Sequence, residues 1–116
     1  MASTRKEQRE DARLRILRLI GKKPDLSTRQ IADAVGISHG SAYYIVSALI
    51  DKGFIKIANF TRSSRKGQYA YLLTPRGLGE KAMLTQAFIA RKRVEYEELR
   101  SELESLEREA EEGKNA

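Results

Sequence analysis

The chain has 116 residues, and its 22 Lys and Arg against 16 Asp and Glu give a net charge of +6 at pH 7. It contains no cysteine and a single histidine. This composition excludes disulfide bonds, thiolate metal sites and a multi-histidine metal site within one subunit. No apolar run approaches the length of a membrane span or of a signal-peptide core, so we expect one small cytoplasmic domain without a membrane anchor.

The charge is distributed unevenly along the chain. Residues 1–94 contain 19 basic and 7 acidic residues, whereas residues 95–116, the acidic end, contain 3 basic and 9 acidic residues. The balance is therefore +12 in the first region and −6 in the second. A strongly basic region indicates a polyanionic partner, most often nucleic acid, and the acidic end would repel one.

Apolar periodicity and capping residues predict three short helices in the first half of the chain, over residues 4–22, 28–35 and 39–52. Ser27 and Gln30 form a capping-box pattern at the start of the second helix. Gly36 stands where a left-handed residue ends a helix, and Ser38 caps the third helix. Gly53 stops the third helix.

Two alternating runs at residues 54–60 and 68–73 predict the strands of a β-hairpin. The basic residues Arg62, Arg65 and Lys66 lie at its tip. Thr74 and Pro75 then begin a long helix that runs to about Glu112, roughly 57 Å at the rise of an α-helix. Such a helix is too long to bury itself on a domain of this size, so part of it needs a partner.

This order of elements predicts a mainly α fold with a small β-hairpin wing. We expect a winged helix-turn-helix over residues 1–74, a long C-terminal dimerisation helix over 75–112 and a disordered tail over 113–116. In this geometry the second helix of the pair enters the major groove of duplex DNA with its N-terminal residues leading.

The predicted DNA contacts come from three segments. They are Ser27, Thr28 and Arg29 near the backbone; Ser38, His39, Gly40, Ser41, Tyr43, Tyr44 and Ser47 on the third helix; and Arg62, Arg65 and Lys66 on the wing. Gly40 indicates either a close approach of backbone to DNA or simple tolerance near a helix start. One of Tyr43 and Tyr44 could belong to the core, but we expect both near the groove. The wing cations could also be merely solvated, although their setting favours a phosphate or minor-groove contact.

Two stretches resemble a known family. The run from Leu26 to Ile55, with Val35-Gly36-Ile37-Ser38 at its turn, is similar to the DNA-binding core of the MarR family. The run Tyr69-Ala70-Tyr71-Leu72-Leu73-Thr74-Pro75 and the helix after it resemble the small MarR-type regulators associated with exopolysaccharide gene clusters. The resemblance implies a dimeric transcriptional regulator, with exopolysaccharide synthesis as the implied target. The resemblance does not imply the operator sequence of those relatives, because His39, Ser41 and Tyr43 differ from the residues that they tend to carry at these positions.

The long helix carries a repeat typical of a coiled coil. Ile89, Tyr96 and Leu103 are spaced by seven residues, as are Lys92, Leu99 and Leu106. The residues predicted to form a homodimer interface are Phe88, Val94, Tyr96, Leu99, Leu103 and Leu106. The alternative is a solvated helix end. Pairing of the acidic end with Arg91, Lys92 and Arg93, or with arginines of the partner's first helix, would favour an antiparallel or crossed dimer.

No catalytic constellation is visible, so the sequence predicts a DNA-binding protein without enzymatic activity, metal or cofactor. The expected partners are double-stranded DNA and a second copy, with no membrane, and the sequence does not identify a small-molecule effector. The alternatives are a winged helix used as a protein-interaction module, whose hairpin tip should be neutral or apolar, and an RNA-binding winged helix.

Overall fold

The computed structural model describes residues 4–59 and 69–115. Within them the chain forms helices α1 (Arg5–Lys22), α2 (Thr28–Val35) and α3 (His39–Asp51), strands β1 (Ile55–Asn59) and β2 (Tyr69–Leu73), and helix α4 (Pro75–Lys114). The predicted order of elements and the mainly α fold with a two-stranded antiparallel hairpin are confirmed.

The helix starts follow the capping residues of the sequence. Thr4 and Ser27 each accept a hydrogen bond from the backbone three residues later, and a Glu or Gln side chain completes each capping box. Ser38 accepts from Ser41 N–H at 3.1 Å and Thr74 from Gly77 N–H at 3.0 Å. These local bonds satisfy N–H groups that a helix start otherwise leaves unpaired.

The end of α3 shortens the first predicted strand. Gly53 has φ +76, and Phe54 N–H donates to the Leu49 carbonyl at 2.9 Å across the helix end. This closure holds the buried Phe54 outside β1, so the strand begins at Ile55. The strands pair with Ile55 opposite Leu73 and Ile57 opposite Tyr71, and the hairpin residues 60–68 lie outside the described residues.

One hydrophobic core holds the first five elements and the start of α4 together. Its buried side chains come from every one of these elements. They are Leu14, Ile16, Leu17, Ile20, Ile31, Ala32, Ala42, Val46, Leu49, Phe54, Ile55, Ala70 and Leu84. Burial of this apolar surface supplies most of the stability of a domain of this size.

Helix α4 enters the core through a close approach of backbone to backbone. A Cβ at Gly77 would lie 1.9 Å from the Phe54 carbonyl oxygen, so only glycine fits there. Thr74 Oγ1 also donates to the Gly53 carbonyl at 2.6 Å. Farther along, Arg91 forms an ion pair with Glu10 at 3.3 Å and another with Asp11, which ties α4 to α1.

Helix α4 extends two residues past the predicted end. Gly113 and Lys114 were expected in a disordered tail, but they belong to the helix. Lys114 lies in the last turn, where a cation is favourable beside the carbonyl end of the helix, and it is 3.7 Å from Glu111. No helix within residues 4–59 and 69–115 has the length and apolar character needed to cross a membrane.

Candidate nucleic-acid interface

The turn between α2 and α3 sets the angle of the helix-turn-helix pair. Gly36 adopts φ +81 and its N–H donates to the Ala32 carbonyl at 2.8 Å. Ile37 packs partly buried against the core, and Ser38 then caps α3. The predicted roles of these residues in the turn are confirmed, and the turn projects the start of α3 away from the core.

Helix α3 has distinct inner and outer faces. Ala42, Val46 and Leu49 are buried in the core, whereas Tyr43 is 68% and Tyr44 is 76% exposed. Because the core already takes the inner face, both tyrosines are left at the surface, and neither belongs to the core. Two large aromatic side chains on the exposed face of a short helix offer apolar and hydrogen-bonding contact in a groove.

The first turn of α3 presents small polar groups. The Ser38 hydroxyl donates to Ser41 Oγ at 2.8 Å, which orders both side chains at the helix start. Ser47 is half-buried one turn beyond Tyr43. A Cβ added at Gly40 would meet nothing within 4 Å. The chain itself therefore does not require glycine at this position, and a need for close approach can come only from a bound molecule.

His39 is paired with an acidic residue of α2. Its Nε2 lies 3.0 Å from Asp33 Oδ1, and both side chains are exposed. The contact gives the Asp33 carboxylate a hydrogen-bond partner beside α3 and leaves the second ring nitrogen of His39 for another partner. His39 was identified from the sequence but Asp33 was not, because nothing in the local pattern indicates a contact between two helices.

The start of α2 is tied to the wing. The Thr28 and Tyr71 hydroxyls lie 2.9 Å apart and share a hydrogen bond, and Tyr71 N–H donates to the Pro24 carbonyl at 2.9 Å. Besides its place in the sheet, Tyr71 thus fixes the base of the hairpin on α2. Ser27 is occupied in capping, whereas Arg29 is exposed close to it. Of this predicted group, Arg29 is the side chain that remains for a phosphate.

The tip of the wing carries the remaining predicted DNA contacts. Arg62, Arg65 and Lys66 lie outside the described residues. The pairing of β1 with β2 and the bond to α2 show only where the hairpin leaves the domain.

A basic groove beside α3 was not predicted from the sequence. It lies between α1 and α3, and Arg9, Arg13 and Lys52 line it together with Ser41 and Tyr44. Arg13 is also 3.5 Å from Glu80 of α4. No local pattern in the sequence indicates this groove, because only the tertiary fold brings these cations together. They extend the positive charge next to the exposed tyrosines.

The predicted dimerisation residues divide into three sets. Tyr96, Leu99, Leu103 and Leu106 are exposed along one side of α4 and form, with Ile89, what we call the apolar stripe. Phe88 instead packs against the core of its own chain. Val94 is exposed about 180° around the helix from Leu103, so it cannot share an interface with the stripe.

Comparison with known proteins agrees with this architecture. Residues 9–56 match the family model of winged helix-turn-helix DNA-binding domains. A MarR/EmrR family transcriptional regulator from Acinetobacter sp. ADP1 is 23% identical with a TM-score of 0.59, over 70% of this chain and 56% of that one. The adhesin competence repressor of Streptococcus pyogenes is 18% identical with a TM-score of 0.62, over 78% and 66%.

A third similar structure contains nucleic acid. FabT of Streptococcus pneumoniae in complex with DNA is 20% identical with a TM-score of 0.53, over 70% of this chain and 55% of that one. The chain thus spans only about half of the length of several of these proteins. No curated protein matches the sequence. The fold is a winged helix-turn-helix followed by a long C-terminal helix, as in MarR-family regulators.

Proposed function

We propose that this protein is a transcriptional regulator that binds specific sequences of duplex DNA as a homodimer in the cytoplasm. Its targets are exopolysaccharide or related genes, an assignment that rests on the resemblance of residues 69–97 to regulators of that group. The winged helix-turn-helix match over residues 9–56 supports the DNA-binding role.

One observation carries the proposal most strongly. The exposed face of α3 holds Tyr43 and Tyr44 with polar residues at the helix start, and basic residues stand beside it. These two kinds of residue have different roles. The cations bind phosphates without regard to sequence, whereas the α3 side chains reach base edges.

The wing and the start of α2 supply further backbone contacts. Arg62, Arg65 and Lys66 bind phosphates or the minor groove, and Arg29 binds a phosphate near the start of α2. The hydrogen bond between Thr28 and Tyr71 supports this arrangement, since it fixes the hairpin base relative to α2.

Binding measured against three polymers tests the proposal. The full chain selects its preferred duplex from a random pool, and its affinity is then compared with a scrambled duplex and with RNA of the same sequence. We expect the preferred duplex to bind at least about 10³-fold more tightly than the scrambled one. The affinity should fall with salt by a log–log slope of about 0.9 per neutralised phosphate.

Variants of α3 locate the sequence readout. Tyr43→Ala and Tyr44→Ala should each reduce discrimination at one base pair by about 1–3 kcal/mol, with less effect on the scrambled duplex. Tyr69→Ala is the matched control, because Tyr69 is similarly exposed but belongs to β2 rather than α3. If neither α3 variant changes discrimination, α3 is not the reading element. Tighter binding to RNA would replace the proposal with an RNA-binding function.

A further inference from the structure

The second half of α4 projects beyond the rest of the molecule. Arg91 forms the last ion pairs along α4 that tie it to α1, and every residue from Tyr96 to Asn115 except Ser105 is exposed. Ion pairs farther along, such as Arg100 to Glu104 at 3.4 Å, stay within the helix. This part of α4 extends about 28 Å with no cover from the described residues of its own chain.

The apolar stripe begins at Ile89 and continues along this projecting part from Tyr96 onward. Its members are 45–63% exposed, although all five are Ile, Leu or Tyr side chains, and they follow the three-and-four spacing of a coiled-coil seam. The surrounding residues carry the −6 charge of the acidic end, which repels DNA and anionic lipid alike. The remaining candidate to cover the apolar stripe is a protein helix whose apolar residues have the same three-and-four spacing. A second copy of α4 is such a helix.

Charged residues flank the apolar stripe on both sides. One flank consists of Glu95, Glu102 and Glu109, and the other consists of Arg93, Arg100 and Glu107. In a parallel pair each residue of the first flank lies opposite the partner residue five positions later. Glu95 of one copy then faces residue 100 of the other, an arginine, and Glu109 faces residue 114, a lysine, while Glu102 opposes residue 107, a glutamate.

The antiparallel pairing is less favourable on the same residues. It places the Glu95, Glu102 and Glu109 flank of one helix against the same flank of its partner, so only carboxylates meet there. On the other flank Arg93 gains Glu107 of the partner, but Arg100 then meets Arg100. It also separates the two winged helices, since α4 has 40 residues and measures about 60 Å. Two recognition helices can then no longer reach successive turns of one duplex, about 34 Å apart.

Three of the cations invoked for an antiparallel or crossed dimer form ion pairs within their own chain. Arg91 is bound by Glu10 and Asp11 of its own chain, Arg13 by Glu80, and Lys92 by Glu95 at 3.0 Å. Arg100 and Lys114, which the parallel pairing uses, also form ion pairs within α4, so the spacing and the flanking charges decide between the two orientations.

We propose that residues 89–110 of two copies form a parallel, in-register, two-stranded coiled coil that holds both winged helices at the same end. The spacing and the flanking charges carry this proposal, and only its geometric argument about one duplex rests on the proposed DNA-binding function. Lys92 lies within the seam and restricts the register at a cost in stability.

Single cysteines in this cysteine-free chain test the orientation. A parallel coil brings Leu99→Cys next to its twin and Leu106→Cys next to its twin, within disulfide distance, so each variant should cross-link with itself in a glutathione redox buffer. Ser101→Cys, on the opposite side of α4, is the matched control and should stay uncross-linked.

An antiparallel coil gives a different pattern. In an antiparallel seam Leu99 and Leu106 face partner residues of the Tyr96 and Leu103 set, so neither variant cross-links with itself, and a mixture of Leu99→Cys and Leu103→Cys forms the heterodimeric disulfide instead. Either that pattern or the absence of cross-linking in all three variants overturns the proposal. Circular dichroism of each variant establishes that α4 remains helical.

Charge exchange provides a second test that needs no cysteine. Arg100→Glu should raise the dimer dissociation constant about tenfold, because it opposes Glu95 of the other copy in both symmetric pairs. Adding Glu95→Arg should restore dimerisation, and Arg108→Glu, the same charge change on the outer face, should leave it unchanged. Sedimentation equilibrium gives the constants of the wild type and all three variants, and failure of the double variant to recover contradicts the parallel pairing.

The outcomes separate this proposal from the proposed function. If the cysteine variants fail to cross-link while the wild type still discriminates between duplexes, the coiled coil is wrong and the DNA-binding function stands. If they cross-link in the parallel pattern but the wild type binds no duplex, the coil stands and the function is wrong.

Discussion

The two halves of helix α4 differ in how far they bury the same type of residue. Leu84 in its first half is 5% exposed and packs into the core of its own chain, whereas Leu103 in its second half is 50% exposed. Both residues fit a helical apolar pattern in the sequence. Periodicity therefore identifies side chains that require cover, but it does not say which chain supplies the cover.

The surface around α3 and the surface of the acidic end also differ in chemistry. Around α3 the exposed groups are Tyr43 and Tyr44 with basic residues nearby, and on the acidic end they are leucines among glutamates. An aromatic and cationic surface suits a polyanion, and an acidic surface with an apolar stripe suits another helix. The net charge of each region therefore indicates its class of partner.

Replacing a large apolar side chain by Ala should destabilise the protein in different ways in the core and on the apolar stripe. Ile16→Ala empties a fully buried site and should lower the free energy of unfolding by about 2–5 kcal/mol. Leu103→Ala should lower the melting temperature only at protein concentrations where the proposed dimer forms, because the proposed coil places its contacts in the second copy. Thermal unfolding at several protein concentrations checks both. A concentration-independent loss in Leu103→Ala would place that residue inside its own chain's core.

Two glycines at the start of α4 distinguish packed from open backbone. Gly77→Ala forces a methyl group into the Phe54 carbonyl and should destabilise the protein by about 1–3 kcal/mol or more. Gly79→Ala, two residues later, meets nothing within 4 Å and should stabilise the helix by up to about 1 kcal/mol. Urea unfolding of the pair measures the difference. Equal effects would contradict the close approach of α4 to the end of α3.

The wing should act on every duplex alike, unlike α3. Replacing Arg62, Arg65 and Lys66 by Ala should weaken binding to preferred and scrambled duplexes about equally. It should also reduce the log–log salt slope by about 0.9 for each phosphate that is no longer neutralised. Arg108→Ala, which removes a cation from the outer face of the acidic end, is the control. An unchanged slope in the triple variant would remove the wing from the binding surface.

Of the substitutions considered, Gly40→Ala should have the smallest effect, and it should change fold stability and duplex binding separately. Since a Cβ there has no neighbour within 4 Å, Gly40→Ala should stabilise the fold by up to about 1 kcal/mol. If the α3 backbone approaches DNA closely, the same methyl group should weaken duplex binding. Unfolding and binding measured on one preparation separate the two. Stabilisation with unchanged affinity means that glycine is only tolerated at this position.

Local signals predicted much of the fold. Ser27 with Gln30, Gly36 and Thr74 act within a few residues of the chain, so their patterns located the helix boundaries. The prediction was less accurate at the end of α3, because the closure through Gly53 excludes Phe54 from the strand.

Contacts across long stretches of chain could not be predicted. The bond between Thr28 and Tyr71 joins residues 43 positions apart, and Arg91 reaches acids of α1 that are 80 and 81 positions away. In each of these contacts, the local sequence around one residue gives no indication of the residue that it contacts. The basic groove between α1 and α3 was missed for the same reason, and the separation of Phe88 and Val94 from the apolar stripe required knowing which side of α4 faces the core.

Footprinting on the DNA next to the protein's own gene tests the proposed two-fold symmetric regulator most directly. Two winged helices held at one end of a parallel coil should protect a near-palindrome whose half-sites are centred about 10 bp apart or a multiple of that. Tyr44→Ala should weaken protection in both half-sites together, because each copy contributes one α3. Protection of a single asymmetric site, or no sequence preference across the fragment, would contradict this arrangement.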